Sequence, residues 1–121
     1  MGFTVVLAEN DALAARSLAA SLDKHFPSIK IVHSADELKS AIPRLRANAA
    51  IVDLETVSLS QVADLRREFE LPVVCTHRVP DEELWTKAME AGAADVCDKS
   101  DITTMLRAIR PAPGSARSSA A

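Results

Sequence analysis

Ala49-Ala50-Ile51-Val52-Asp53-Leu54-Glu55 is the stretch whose reading decides the fold. Its opening four residues are apolar with no alternation, so the run reads as a short strand buried on both faces. Such strands belong to parallel sheets covered by helices, where little room is left for charge. Yet the run ends on a carboxylate, Asp53. In open α/β sheets, ligands bind beyond the carboxyl ends of the strands, at the topological switch point. Asp53 is therefore a candidate site residue.

Working outward, upstream residues Phe3–Ala8 read as an apolar strand ending on Glu9-Asn10-Asp11, where Asn10 or Asp11 can cap a helix. Leu18, Leu22 and Phe26 recur at helical spacing, with Ala14 and Ala15 extending the stripe, and predict a helix of about four turns that Pro27 stops. Ile29–Val32 form a second, short strand. Ala35, Leu38, Ile42 and Leu45 repeat as a helix, in which Pro43 should introduce a kink or an early end. Downstream, Leu59, Val62, Leu65 and Phe69 mark a third helix, and Leu71–Thr76 a fourth strand. Pro80-Asp81-Glu82-Glu83 carries helix-start chemistry, Leu84, Ala88 and Ala91 face inward, and Gly92 ends that helix. Ala93–Cys97 make a fifth strand before Asp98-Lys99. Ser100 or Asp101 opens a last helix with Ile102, Leu106 and Ile109 inward, and Pro111 ends it. Residues 1–110 thus form one domain, and 111–121 a small, polar tail or linker.

Strands alternating with helices imply βα units and a parallel, doubly wound sheet, a three-layer α/β fold. The 121 residues, 48% hydrophobic and 26% charged, suffice for one core. A formal charge of −3 argues against direct nucleic-acid binding, which needs clustered Lys and Arg. No apolar run reaches membrane-spanning length and no signal peptide opens the chain, so the expected setting is cytoplasmic. Cys75 and Cys97 lack metal or redox spacing and read as buried free thiols.

Four strand ends carry polar groups: Glu9 and Asn10, Asp53, Thr76, and Lys99. Any one alone is an ordinary loop residue or cap. Together on one edge they form a chemical arrangement. Two carboxylates converging on a crevice repel unless a cation lies between them, and Mg²⁺ commonly takes one or two carboxylates plus water. Asp53 can then act as a nucleophile toward phosphorus, Thr76 as a hydrogen-bond donor to a phosphoryl oxygen, and Lys99 as its counter-charge.

Leu7-Ala8-Glu9-Asn10-Asp11, Val52-Asp53-Leu54, Pro72-Val73-Val74-Cys75-Thr76 and Gly92-Ala93-Ala94-Asp95-Val96-Cys97-Asp98-Lys99 carry a resemblance over residues 3–110. In order and spacing the chain resembles the receiver domains of two-component response regulators, the CheY-like superfamily. That resemblance implies a flavodoxin-like fold with strand order 2-1-3-4-5. It implies that Asp53 accepts a phosphoryl group from a sensor histidine kinase or phosphotransfer protein. By the same resemblance Glu9, Asn10, Asp53 and the Glu55 backbone hold Mg²⁺, and Thr76 and Lys99 bind the phosphoryl group. The fourth-helix, fifth-strand and fifth-helix face, with Trp85, Arg107 and Arg110, would transmit the signal or form a homodimer. The chain is not read as an enzyme, because nothing in it supplies a lid or substrate pocket. Departures from the family pattern are equally specific. Asn10 replaces a second acid and weakens the expected metal site, His77 and Arg78 follow Thr76 and would screen the site mouth, and Val96 stands where an aromatic switch is usual. The alternative reading is a pseudo-receiver, the same fold used as a phosphorylation-independent interaction or dimerisation module.

Overall fold

A computed structural model describes residues 3–109. Its elements are β1 (Thr4–Ala8), α1 (Ala12–Leu22), β2 (Ser28–Val32), α2 (Ala35–Leu45) and β3 (Ala49–Asp53), followed by α3 (Leu59–Glu68), β4 (Val73–His77), α4 (Glu82–Glu90), β5 (Asp95–Asp98) and α5 (Ile102–Ile109). The strands form one parallel sheet in the order β2-β1-β3-β4-β5, the flavodoxin-like order expected. β3 lies at the centre and is buried at all five positions, which is why it needs apolar side chains on both faces. The proposed tail 111–121 and Arg110 lie outside the described residues.

Strand pleating divides the core in two. Val5 and Leu7 of β1, Ile51 of β3, Val74 of β4 and Cys97 of β5 face α1 and α5, meeting Leu18, Leu22, Met105 and Ile109. Val6, Val52, Val73, Cys75 and Val96 face the opposite layer of α2, α3 and α4. The two thiols therefore sit on opposite faces of the sheet. Burial pushes both up to about 12, aided by mutual or acidic neighbours, so both are inert thiols, as their spacing suggested.

Local chemistry sets the helix ends, and several differ from the sequence reading. Of the two capping candidates it is Asp11 that caps α1, its Oδ1 accepting from the N–H groups of Leu13 and Ala14 at 3.0 and 3.1 Å. That helix stops at Leu22, a turn earlier than its apolar spacing suggests. Phe26 still reaches the core, but through a turn in which its N–H donates to the Leu22 carbonyl, and its ring stacks on Phe3 with centroids 5.5 Å apart. Pro43 neither breaks nor shortens α2. It stands in the last turn, where only one backbone bond is lost, and its carbonyl accepts from the left-handed cap residue Arg46. Ser58 and Gln61 form a reciprocal capping box at the start of α3.

Gly92 carries the reversal between α4 and β5 at φ +103°, and a Cβ there would lie 2.9 Å from Arg66 Cγ. Gly92→Ala is expected to cost about 1–2 kcal/mol from backbone strain and displacement of Arg66. The check is a thermal melt, in which the midpoint should fall by roughly 4–16 °C. An unchanged midpoint would show that the turn relaxes freely.

Candidate functional site

The same period-two rule that sorts the core also gathers the polar strand ends. Glu9, Asp53, Thr76 and Lys99 continue the parity of Leu7, Ile51, Val74 and Cys97, so all four point from the sheet edge toward the α1–α5 side. Asp53 pairs in register with Thr76, and Thr76 with Cys97, which aligns the groups across the sheet. Glu9 follows Ala8, itself opposite Val52, and its N–H donates to the Val32 carbonyl at 3.0 Å, holding it as an extension of β1.

These residues are buried to an unusual degree for their chemistry: Glu9 is 3%, Asp53 2% and Thr76 1% exposed. Two buried carboxylates demand a cation. Lys99 supplies it, with Nζ 3.1 Å from Glu9 Oε1 and 3.2 Å from Asp53 Oδ1. Burial alone pulls the Lys99 ammonium down. Contact with both carboxylates and their charges outweighs burial and holds it above its ordinary value. Glu9 Oε2 also accepts from the Asp11 N–H at 3.1 Å, which orients it.

Asp53 is held asymmetrically. Oδ2 accepts from the Thr56 hydroxyl at 3.3 Å, whereas buried Oδ1 accepts no hydrogen bond and has only the ionic contact with Lys99. Two carboxylates against one ammonium leave the buried cluster one negative charge in excess. That excess and the oxygen-only donor set fit a hard divalent cation such as Mg²⁺. Among the described residues no group of three or more His, Cys, Asp or Glu side chains forms a ready metal cage. Asn10, exposed beside Glu9, is where a further acid would complete one.

A cleft of about 290 Å³ opens over the cluster, lined among others by Asn10, Asp11, Glu55, Thr56, Arg78 and Lys99. Arg78 Nη2 reaches Glu55 Oε1 at 3.0 Å, placing an ion pair at the mouth. His77, expected beside it, does not line this cleft. It is the last residue of β4, and pleating turns it to the face opposite Thr76. Its Nδ1 accepts from the Val79 N–H at 3.1 Å, and it lines a separate groove with Leu84 and Lys87 of α4. Thr76 lies behind the cleft, beside Asp53, without lining it. Trp85 on α4 is 46% exposed, and Arg107 on α5 is also exposed. Thr56 is the residue that sequence reasoning missed. As a polar residue in a turn it carries no periodic signal, and only its place three residues after Asp53 could have drawn notice.

No family model matches the chain, and no curated protein sequence matches it. Solved structures do. The signal receiver domain of the response regulator NarL from Mycobacterium tuberculosis superposes with a TM-score of 0.78 at 15% identity, covering 92% of this chain and 98% of that one. The BeF₃-activated receiver domain of Klebsiella pneumoniae RstA gives 0.77 at 20% identity, covering 90% and 99%. A two-component response regulator from Clostridium difficile gives 0.77 at 13% identity, covering 88% and 94%. At such identities the likeness is one of fold: the chain has the flavodoxin-like fold of these receiver domains.

Proposed function

We propose that this chain is a receiver in two-component signalling, accepting a phosphoryl group on Asp53 from the phosphohistidine of a kinase or phosphotransfer protein. The observation that carries the reading is the buried Glu9–Lys99–Asp53 cluster under an open cleft at the strand ends. A structural core does not need two carboxylates and an ammonium there, and a phosphoryl-transfer site does.

In this reading an Asp53 oxygen attacks phosphorus, the bond from phosphorus to the donor's imidazole nitrogen breaks, and that nitrogen leaves with the electron pair. An acyl phosphate on Asp53 results. Glu9, Asp53, the Asn10 amide oxygen and the Glu55 backbone carbonyl are the groups that would hold Mg²⁺. When bound, the ion supplies charge neutralisation to the phosphoryl oxygens. Lys99, already between both carboxylates, stays to balance the added charge, and Arg78 brings a second cation to the mouth. Thr76, in register with Asp53, would supply the hydroxyl that follows a phosphoryl oxygen. Transmission would run through the α4–β5–α5 face, to a partner or a second copy. Val96 there is buried and offers no aromatic ring to move. Turnover of an external substrate has no part in this reading.

The RstA receiver domain was solved in a BeF₃-activated form, and BeF₃⁻ is named as a phosphomimetic in a structure of the RcsB receiver domain from Salmonella enterica. Both support looking for the same chemistry here. Intact mass after incubation with a small phosphodonor and Mg²⁺ tests it. A gain of one phosphoryl group by the parent, abolished in Asp53→Asn and by chelation of the metal, is the expected result. No gain, either with the small donor or with a phosphohistidine donor, would overturn it. The pseudo-receiver would then stand, since exposed Asn10 in place of an acid already weakens the metal site.

A further inference from the structure

We infer that the Thr56 hydroxyl is a positioning group that ties Asp53 to the β1–α1 loop and shortens the life of a phosphoryl group on Asp53; the second half rests on the reading above. Thr56 is fixed by its own turn. Its N–H and that of Val57 both donate to the Asp53 carbonyl at 2.9 Å, and Val57 is completely buried. The side chain is therefore held over Asp53 by the backbone. Its Oγ1 accepts from the Asn10 N–H at 3.1 Å, which directs its one proton away from Asn10 and toward Asp53 Oδ2, 3.3 Å distant.

One hydroxyl thus links the loop that carries Glu9 and Asn10 to the carboxylate that would be modified. No other side chain donates to Asp53 through a hydroxyl among the described residues. The consequence for loss of the phosphoryl group follows from charge. Hydrolysis begins when a water oxygen attacks phosphorus. The bond from phosphorus to the Asp53 oxygen breaks, the electron pair returns to Asp53, and the water proton passes to solvent or phosphate. Negative charge grows on the leaving carboxylate, so a donor fixed on it strengthens its hydrogen bond as the reaction proceeds. Thr56 therefore favours departure of the group. It does so without touching phosphorus.

The test compares parent, Thr56→Ser and Thr56→Val. Each protein is loaded with a small phosphodonor and Mg²⁺, the donor is removed, and the phosphorylated fraction is followed by intact mass. Thr56→Val should lose its phosphoryl group roughly three- to tenfold more slowly than the parent, while Thr56→Ser should decay at the parent rate. Amide hydrogen exchange of the unphosphorylated proteins reads the tie itself. The Asn10 N–H should exchange faster in Thr56→Val and return to the parent rate in Thr56→Ser. Equal decay in parent and Thr56→Val, or no change at Asn10, overturns this inference and leaves Asp53 as acceptor. A parent that never gains a phosphoryl group overturns the functional reading, and with it any role for Thr56 in phosphoryl lifetime.

Discussion

Alanine at position 99 is expected to destabilise the fold by about 3–5 kcal/mol near neutral pH, because it strips the cation from two buried carboxylates. The Lys99 side chain is 21% exposed, against 4% for Glu9 and 2% for Asp53, so the two acids rely on the ammonium far more than on solvent. The two acids would then face each other unscreened. Chemical unfolding in urea checks this through the shift of the midpoint at unchanged slope. Adding Glu9→Gln to Lys99→Ala removes the repulsion and should return part of the loss, so the two changes will not be additive. Phosphoryl uptake should fall with Lys99→Ala in both backgrounds.

The pH dependence has a definite sign. Lys99 is held above its ordinary value, so its contribution is complete across neutral pH and is lost as the pH rises from that ordinary value through the raised one. In Lys99→Ala the defect arises from charged carboxylates. The gap between the variant and the parent should therefore narrow as the solution is acidified. A gap that stayed constant from neutral pH into acid would instead mean that the loss comes from the packing of the lysine stem.

The parts of this site that were legible in the sequence are those that obey a period. β1, β3 and β4 carry apolar runs because both faces are covered, and the first polar residue after each run, Glu9, Asp53 and Thr76, marks the edge. Once Asp53 is placed at the end of β3, strand parity alone brings Glu9, Thr76 and Lys99 to its side. The same parity, applied to His77, would have turned it away from the mouth. The sequence pattern ends the fourth strand at Thr76, but β4 runs one residue further. Arg78, beyond the strand end, is free of the pleat and does return to the cleft. Thr56 was not legible because its role lies in two hydrogen bonds from a turn, and no spacing rule encodes those. Likewise Phe26 keeps the helical interval from Leu22 although the helix has ended, since a turn can deliver a side chain to the same place. Pro43 misled in the opposite direction: it removes only the bond its own N–H would give to the carbonyl four residues back, and α2 still runs on to Leu45.

α5 shows the same limit within the core, and it yields the second large effect. The sequence pattern placed Ile102, Leu106 and Ile109 inward. In the structure Met105 is completely buried and Ile109 nearly so, while Ile102 and Leu106 are only partly buried at the rim of the same cluster. Five apolar residues within eight positions leave the centre of the stripe undecided, and tertiary packing against β4 and β5 decides it. Met105→Ala is therefore expected to cost about 2–5 kcal/mol, and Leu106→Ala clearly less. The loss should also be local. α5 has only eight residues, two of them threonines and two isoleucines, so it is too short and too β-branched to persist without its anchor. Hydrogen exchange of the α5 amides should rise in Met105→Ala before that of β1 and β3, whose hydrogen bonds lie in the centre of the sheet. If Leu106→Ala proved the more damaging of the two, the inward face of α5 would have to be rotated back to the one its sequence pattern suggested.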